Sequence, residues 1–188
     1  MKWLLGMNNR KLSKDGIASF GLTAMKTCPF ALLCKKYCYA NKGAYKYSVV
    51  YKAQQRRFKA TMQDNFEERI AAEIVAREIK YVRIHDSGDF YNKAYAKKWI
   101  NIANRLSDII FYAYTKSWIY FEGLEVPANL LLIQSVGGRY EVDKNKPHAV
   151  IYKTVEEIPK DYVDCHKSDM ELIKGYLKGK KNFGLVFH

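Results

Sequence analysis

Three cysteines, Cys28, Cys34 and Cys38, fall within eleven residues, and the only other cysteine of the chain is Cys165. The spacing C-x5-C-x3-C lacks the two close cysteine pairs with which structural zinc sites usually complete a tetrahedron. A cubane iron–sulfur cluster needs three or four thiolates that reach different irons, and one loop commonly supplies three of them. The pattern therefore favours a 4Fe–4S cluster, with a zinc site or four buried, unreactive cysteines as alternatives.

Cys165 determines which kind of cluster protein this would be. It lies between Asp164 and His166, a polar setting typical of a loop, and it is the only remaining thiol. We therefore expect Cys165 to be the fourth ligand, which gives every iron a protein ligand and suits a structural, electron-transferring or sensing cluster. Without Cys165, one iron would be open to a substrate or cofactor, as in an enzyme.

A second group of polar residues follows the strand-like segment Tyr81-Val82-Arg83-Ile84. A histidine, carboxylates and an amine at strand ends are suited to general acid–base chemistry, so we predict four catalytic candidates, His85, Asp86, Asp89 and Lys116. The small residues beside them are predicted to contact a cofactor: Ser87, Gly88 and Ser117. The alternative is a capping loop, in which Asp86 or Ser87 satisfies backbone donors and Gly88 makes the turn.

The segment from Lys35 to Lys59 carries no acidic residue and interleaves basic with aromatic side chains. Cations neutralise phosphates and tyrosine rings stack on unpaired bases, so the segment favours nucleic acid, single strands in particular. The candidate contacts are Tyr45, Lys46, Tyr47, Tyr51, Lys52, Arg56, Arg57 and Lys59. The alternative is a helix whose tyrosines pack inward while its lysines face water.

The composition sets the remaining limits. A chain of 188 residues, 48% of them hydrophobic, predicts a single folded domain over residues 1–188. The net charge of +13 agrees with a polyanionic partner. No apolar run approaches the length of a membrane span, so we expect a cytoplasmic protein without a membrane partner, whose thiols stay reduced.

Apolar periodicity predicts alternating helices and strands. Helical stripes cover residues 66–75, 95–106 and 168–177, and strand-like runs cover 17–22, 81–84, 109–114, 130–133, 149–152 and 184–187. The fold class is therefore α/β, either an incomplete (β/α) barrel or an open, mainly parallel sheet, since the chain is too short for a closed barrel. The polar strand ends should meet in one cavity at the carboxyl edge of the sheet, near the cluster.

With these motifs together, the chain resembles the phage "gene product 88" family. The resemblance spans nearly the whole sequence and rests on Thr27-Cys28-Pro29, Cys34, Cys38-Tyr39-Ala40, the run Arg83 to Tyr91, the run Phe111 to Ser117, His148-Ala149, Asp164-Cys165 and the run Gly184 to His188.

The layout is also distantly similar to radical S-adenosylmethionine enzymes, in which a three-cysteine loop ending in Cys-Tyr precedes most of a partial barrel. That similarity implies a cluster near the carboxyl ends of the strands. The cysteine spacing here is wider, and a Gly-Gly-Glu-like element after the second strand is absent, so S-adenosylmethionine itself is not expected as a cofactor.

Two functions follow from these expectations. The first is a phage-type 4Fe–4S protein that binds nucleic acid or senses redox state. The alternative is an enzyme with a partial barrel like that of radical S-adenosylmethionine enzymes, acting at the strand-end cavity beside the cluster.

Overall fold

The computed structural model describes residues 2–186, and it has an α/β architecture built on a sheet of seven strands. The sheet is curled into a half-barrel, and every neighbouring pair of its strands runs parallel. Its strands are β1 (Ile17–Phe20), β2 (Tyr81–Ile84), β3 (Ile110–Thr115), β4 (Leu130–Ser135), β5 (His148–Tyr152), β6 (Val163–Asp164) and β7 (Asn182–Val186). The order across the sheet is β1-β2-β3-β4-β5-β7-β6. The predicted α/β class and parallel sheet are confirmed.

Five α-helices accompany the sheet within the described residues: α1 (Arg10–Ser13), α2 (Ser48–Thr61), α3 (Phe66–Ala76), α4 (Lys93–Arg105) and α5 (Asp169–Leu177). Polar caps fix three of their starts, because the side chains of Asn9, Asn92 and Ser168 accept hydrogen bonds from the amides of Lys11, Tyr95 and Met170. The three predicted helices correspond to α3, α4 and α5. The basic segment supplies α2, preceded by short 3₁₀ turns between residues 33 and 46.

The two faces of the sheet carry separate cores. Helices α2, α3 and α4 cover one face, here called the outer face, where large aromatic side chains such as Phe20, Phe66 and Trp99 pack together. Helices α1 and α5 contribute to the core on the opposite, inner face, through Leu12 and Leu172. The strand order explains the change of side. Since β7 lies back towards β5, a right-handed crossover from β6 to β7 carries α5 across the other face.

Two details of the fold differ from the sequence expectations. The sheet contains β6, a strand of only two residues that has too little sequence to show a periodic pattern. The last predicted strand is found as β7, although its residue Phe187 lies outside the described residues, as does His188. Across residues 2–186, no helix combines the length and apolarity required to cross a membrane.

Candidate functional site

The three clustered cysteines lie on a segment, residues 27–42, that we call the cysteine loop. Backbone hydrogen bonds join the loop to the segments that follow two strands of the sheet. After β2, the Asp89 amide donates to the Thr27 carbonyl at 3.1 Å. After β4, the carbonyl of Gly137 accepts from the amides of Leu32 and Cys34 at 3.3 and 3.1 Å. The cysteine loop therefore lies at the carboxyl ends of the strands, where sites of α/β proteins form.

The thiols of Cys28, Cys34 and Cys38 are free, partly exposed and close to one another. Burial raises the pKa of Cys28 to about 12, and the charges of Asp89 and of the other two thiols add to the effect. Burial also raises the pKa of Cys38, with a further rise from Cys34 and an opposing effect of Lys116. The thiols of Cys28 and Cys38 thus each lie within electrostatic range of other thiols of the loop.

Among the residues that the structure describes, no three His, Cys, Asp or Glu side chains are gathered so that they could hold one metal ion. A cubane requires thiolates that reach different irons. Cys28, Cys34 and Cys38, supplied by one segment, are the candidate ligands, and cluster binding stays a prediction.

Cys165 occupies a different environment. It is fully buried in the inner-face core, and its thiol donates a hydrogen bond to the Val163 carbonyl at 3.4 Å. Burial raises its pKa to about 12, with a further rise from Asp169 and an opposing effect of Lys11. The structure thus gives Cys165 a packing role on the inner face. Its assignment as the fourth cluster ligand is not tested by these contacts, which favour the alternative in which Cys28, Cys34 and Cys38 are the only protein ligands.

His85 points away from the strand-end site. Its backbone φ of +66° turns the chain at the end of β2, and the ring enters the outer-face core. There Nε2 lies 3.0 Å from the Tyr95 hydroxyl and the ring packs edge-on against Phe90. Burial lowers the pKa of His85 to about 3, so the imidazole is neutral at physiological pH. These contacts account for one face of the ring, whereas Nδ1 is buried without a partner within the described residues, and the catalytic role of His85 stays a prediction.

Ser87 and Gly88 stabilise the turn after β2, one through hydrogen bonds and the other through its backbone conformation. The Ser87 hydroxyl donates to the Leu22 carbonyl at 2.8 Å and accepts from Gln54 Nε2 at 3.1 Å. Gly88 has a φ of +79°, and a Cβ there would lie 2.6 Å from the Thr27 hydroxyl. Gly88 makes the turn, as in the capping-loop alternative, but the Ser87 hydroxyl donates to a backbone carbonyl instead of satisfying a backbone donor, and it joins the turn to the segment after β1.

Asp86 lies where the cysteine loop meets the sheet. Its carboxylate accepts a hydrogen bond from the Ser19 hydroxyl at 3.1 Å, and its carbonyl accepts one from the Tyr39 hydroxyl. A Cβ on Gly21 would lie 2.2 Å from the Asp86 carboxylate, so only glycine leaves room for it. Asp86 is partly exposed and remains available to a ligand.

Asp89 and Lys116 are brought together beneath the thiols. The buried Asp89 carboxylate accepts hydrogen bonds from the Thr115 hydroxyl at 2.6 Å and from the Lys116 amide at 2.9 Å. Burial outweighs these bonds and raises its pKa. The Lys116 ammonium donates to the Ser135 hydroxyl at 2.9 Å, across the ends of β3 and β4. Ser117 is buried, and its hydroxyl has no partner within the described chain.

The sequence reasoning missed a buried ionic network on the inner face. Asp169, at the start of α5, is fully buried and pairs with Arg83 of β2 and Lys11 of α1. Tyr39, directly after Cys38, connects this network to the cysteine loop: its side chain is about half exposed, but its hydroxyl donates to the Asp86 carbonyl and lies within reach of the charge of Arg83. The alternation in β2 could have placed Arg83 on the inner face, but nothing in the sequence pairs it with Asp169.

The predicted nucleic-acid residues divide into two groups. Exposed members lie along the start and one side of α2, where Tyr51, Lys52 and Lys59, with the half-buried Arg56, line a shallow, open depression, and Lys46 and Tyr47 precede it. Two others turn inward. Arg57 donates to the Leu4 carbonyl at 2.6 Å, and the half-buried Tyr45 packs against the ring of Tyr39. Arg56 also donates to the Trp3 carbonyl, at 3.1 Å.

A family model described as gene product 88 matches residues 3–183, which include all four cysteines and every strand-end residue discussed above. The chain belongs to the gene product 88 family. No curated protein and no solved structure matches it. For this gene product 88 protein, the arrangement of its own residues therefore carries the functional argument.

Proposed function

We propose that this gene product 88 protein holds a 4Fe–4S cluster on Cys28, Cys34 and Cys38 and is an enzyme that acts at the strand-end site beneath it. The observation that carries the proposal is the meeting of three neighbouring thiols with Asp89 and Lys116 at the carboxyl ends of parallel strands. The half-barrel agrees with a layout like that of radical S-adenosylmethionine enzymes. S-adenosylmethionine itself is left out of the proposal, because the element that would hold its amino group is absent.

The electrostatic surroundings suit an anionic cluster. Thiols bind iron only as thiolates, so cluster binding must overcome the raised pKa values of Cys28 and Cys38 and release their protons. The Lys116 ammonium favours the thiolate of Cys38. The exposed lysines Lys35 and Lys36, on the same loop, add positive charge.

The position of Cys165 favours an enzyme over a sensor. With its thiol bonded to the Val163 carbonyl inside the inner-face core, Cys165 is not one of the partly exposed thiols on the cysteine loop. Three protein ligands leave one iron for a substrate or small molecule. Asp86 and Lys116 then offer a carboxylate and an amine near that position for binding or proton transfer.

Anaerobic purification followed by iron and acid-labile sulfide analysis tests the cluster, and cysteine variants test its ligands. We expect near-equal iron and sulfide in the wild type, loss of both in Cys38→Ser, and an unchanged cluster spectrum in Cys165→Ser. Zinc without sulfide would refute the cluster. A labile or three-iron cluster in Cys165→Ser would make Cys165 the fourth ligand and favour the redox-sensing function.

A second candidate function is binding of single-stranded nucleic acid by α2. The specific observation is that Lys52 and Lys59 are exposed beside Tyr51, in a segment without acidic residues. Phosphates would meet the ammonium groups, and an unpaired base would stack on the tyrosine ring.

Salt-dependent binding of a single-stranded oligonucleotide tests this function. Replacing Lys52 and Lys59 by alanine should reduce the slope of log affinity against log salt by about 0.7 for each phosphate that the protein no longer neutralises. Arg57→Ala is the matched control, because Arg57 is bonded to the Leu4 carbonyl and should affect stability without changing the slope. Absence of binding at low salt would eliminate this function.

A further inference from the structure

Asp169 is the centre of a buried cluster of charges on the inner face of the half-barrel. Its Oδ2 accepts a hydrogen bond from Arg83 Nη1 at 2.9 Å and another from the Tyr112 hydroxyl at 2.8 Å. The Lys11 ammonium lies 2.8 Å from Oδ1. Burial alone would raise the pKa of Asp169, yet Arg83 and Lys11 hold it below its ordinary value. Asp169 is therefore an anion that two cations share.

The cluster has one more positive than negative charge. Cys165 lies beside it but stays a neutral thiol, because burial raises its pKa to about 12. The surrounding carboxylates have other partners: Asp86 interacts with the charge of Arg57, Asp164 contacts His166, and Glu171 pairs with Lys174. Lys11 is partly exposed and also donates to the Cys165 carbonyl, so solvent screens part of the excess charge, and an added anion would be compensated on the Arg83 side of the cluster.

Two buried hydrogen-bond donors of the cluster have no partner within the described residues. They are Nε of Arg83 and the hydroxyl of Tyr114, and the guanidinium carbon lies 5.1 Å from the centre of the Tyr114 ring. Arg83 uses Nη1 for Asp169, which leaves Nε for another acceptor. Buried donors without acceptors are costly, so two neighbouring ones indicate where a ligand's oxygens would lie.

From this geometry we infer that Arg83 and Tyr114 form a binding site for a small molecule bearing a carboxylate. One carboxylate oxygen accepts from Arg83 Nε and the other from the Tyr114 hydroxyl. A monoanion matches the single excess charge, whereas a phosphate dianion would leave a buried negative charge uncompensated.

The position of Tyr39 relates this site to the proposed function. Its hydroxyl interacts with the charges of Arg83, Asp86 and Cys38, so Tyr39 lies next to both the carboxylate site and the cysteine loop. The inference deepens the proposed function, on which it rests for the identity of the ligand as a substrate. The binding itself depends only on Arg83 and Tyr114 and needs no cluster.

Acetate is the probe, and its binding is measured by saturation-transfer NMR and by thermal unfolding at constant ionic strength, with phosphate and chloride for comparison. Tyr114→Phe removes a hydroxyl that has no partner within the described residues, so the variant should fold with unchanged thermal stability in the absence of acetate. Its Kd for acetate should rise about tenfold, the effect of removing one hydrogen bond to a charged group.

Tyr95→Phe is the matched control, because Tyr95 is also a buried tyrosine but its hydroxyl contacts His85 on the outer face. This variant should unfold at a lower temperature and bind acetate as the wild type does. Saturable acetate binding that only Tyr114→Phe weakens supports the site. No saturable binding, equal weakening in both variants, or equal stabilisation by phosphate and acetate would overturn it.

Iron and sulfide content, determined on the same samples, separates this inference from the proposed function. Acetate binding by protein that never acquires a cluster would support the carboxylate site and refute the proposed cluster. A normal cluster without acetate binding would support the cluster and refute the carboxylate site.

Discussion

The neutral imidazole of His85 should make the stability of the protein depend on pH. Burial lowers its pKa to about 3, whereas in the unfolded chain it takes its ordinary value of 6.5. The unfolded state therefore binds a proton that the folded state does not, so stability is fully present above pH 6.5 and falls towards pH 3. We expect a loss of up to about 1.4 kcal/mol per pH unit from this residue, measured by urea unfolding.

His85→Asn provides the comparison, since asparagine tolerates the φ of +66° and does not titrate in this range. The variant is expected to be less stable at neutral pH, because its shorter side chain cannot reach the Tyr95 hydroxyl, but its stability should fall less steeply on acidification. Equal slopes for the two proteins would show that His85 is not buried as a neutral group.

For single residues, the sequence shows which side chains could take part in chemistry more readily than it shows where those side chains point. The polar run after β2 is evident in the sequence, but the positive φ that turns His85 into the outer-face core has no local signature. Nor does the sequence show that the side chains of Arg57 and Lys59, two nearby cations of α2, point in different directions. One turns to a backbone carbonyl and the other to solvent, because the N-terminal segment covers only part of the helix.

Among the elements, the contact between the cysteine loop and the segment after β4 should control access to the thiols. Gly137 has a φ of +83°, and its carbonyl accepts from the Cys34 amide at 3.1 Å. Gly137→Ala should destabilise the protein by about 1 kcal/mol through backbone strain. It should also loosen the loop, so that a maleimide labels Cys34 several times faster than in the wild type.

Gly179→Ala is the control for this prediction. Gly179 has a φ of +76°, and a Cβ there would meet no atom within 4 Å. The backbone strain is thus similar, but the position follows α5 and lies outside the cysteine loop. If both variants accelerate labelling of Cys34 equally, the effect reflects global stability, and the contact at Gly137 does not hold the loop.

Elements with strong local signals were predictable. The apolar runs of β3 and β4 consist of consecutive residues, and the helical stripes of α3 and α4 repeat every three to four residues. The face on which α5 packs was not predictable, because it depends on the strand order β5-β7-β6, which only long-range pairing determines. Asp169 is the first residue of α5, so its ion pair with Arg83 also depends on this strand order and was not predictable.

For the whole molecule, the Asp169 network should contribute strongly to stability, because it joins α1, β2, β3 and α5. Asp169→Asn leaves the Arg83 guanidinium buried without its carboxylate, and we expect a loss of about 3–5 kcal/mol in the free energy of unfolding. Chemical denaturation of both proteins at neutral pH measures this loss.

Glu171→Gln is the matched control two residues further along α5. Its pair with Lys174 is exposed, so the change should be no more than about 0.5 kcal/mol. Similar losses in the two variants would mean that the inner-face network contributes no more than a surface ion pair.

The position of β7 has a consequence for how the chain folds. β7 follows β6 in the chain but lies between β5 and β6, and β6 pairs with β7 through Val163 and Asp164. Until β7 has paired, β6 has no neighbour in the sheet and the edge of β5 is open to other chains. The inner-face network should therefore mature last, and a folding intermediate in which β7 has not yet docked is the form most exposed to aggregation.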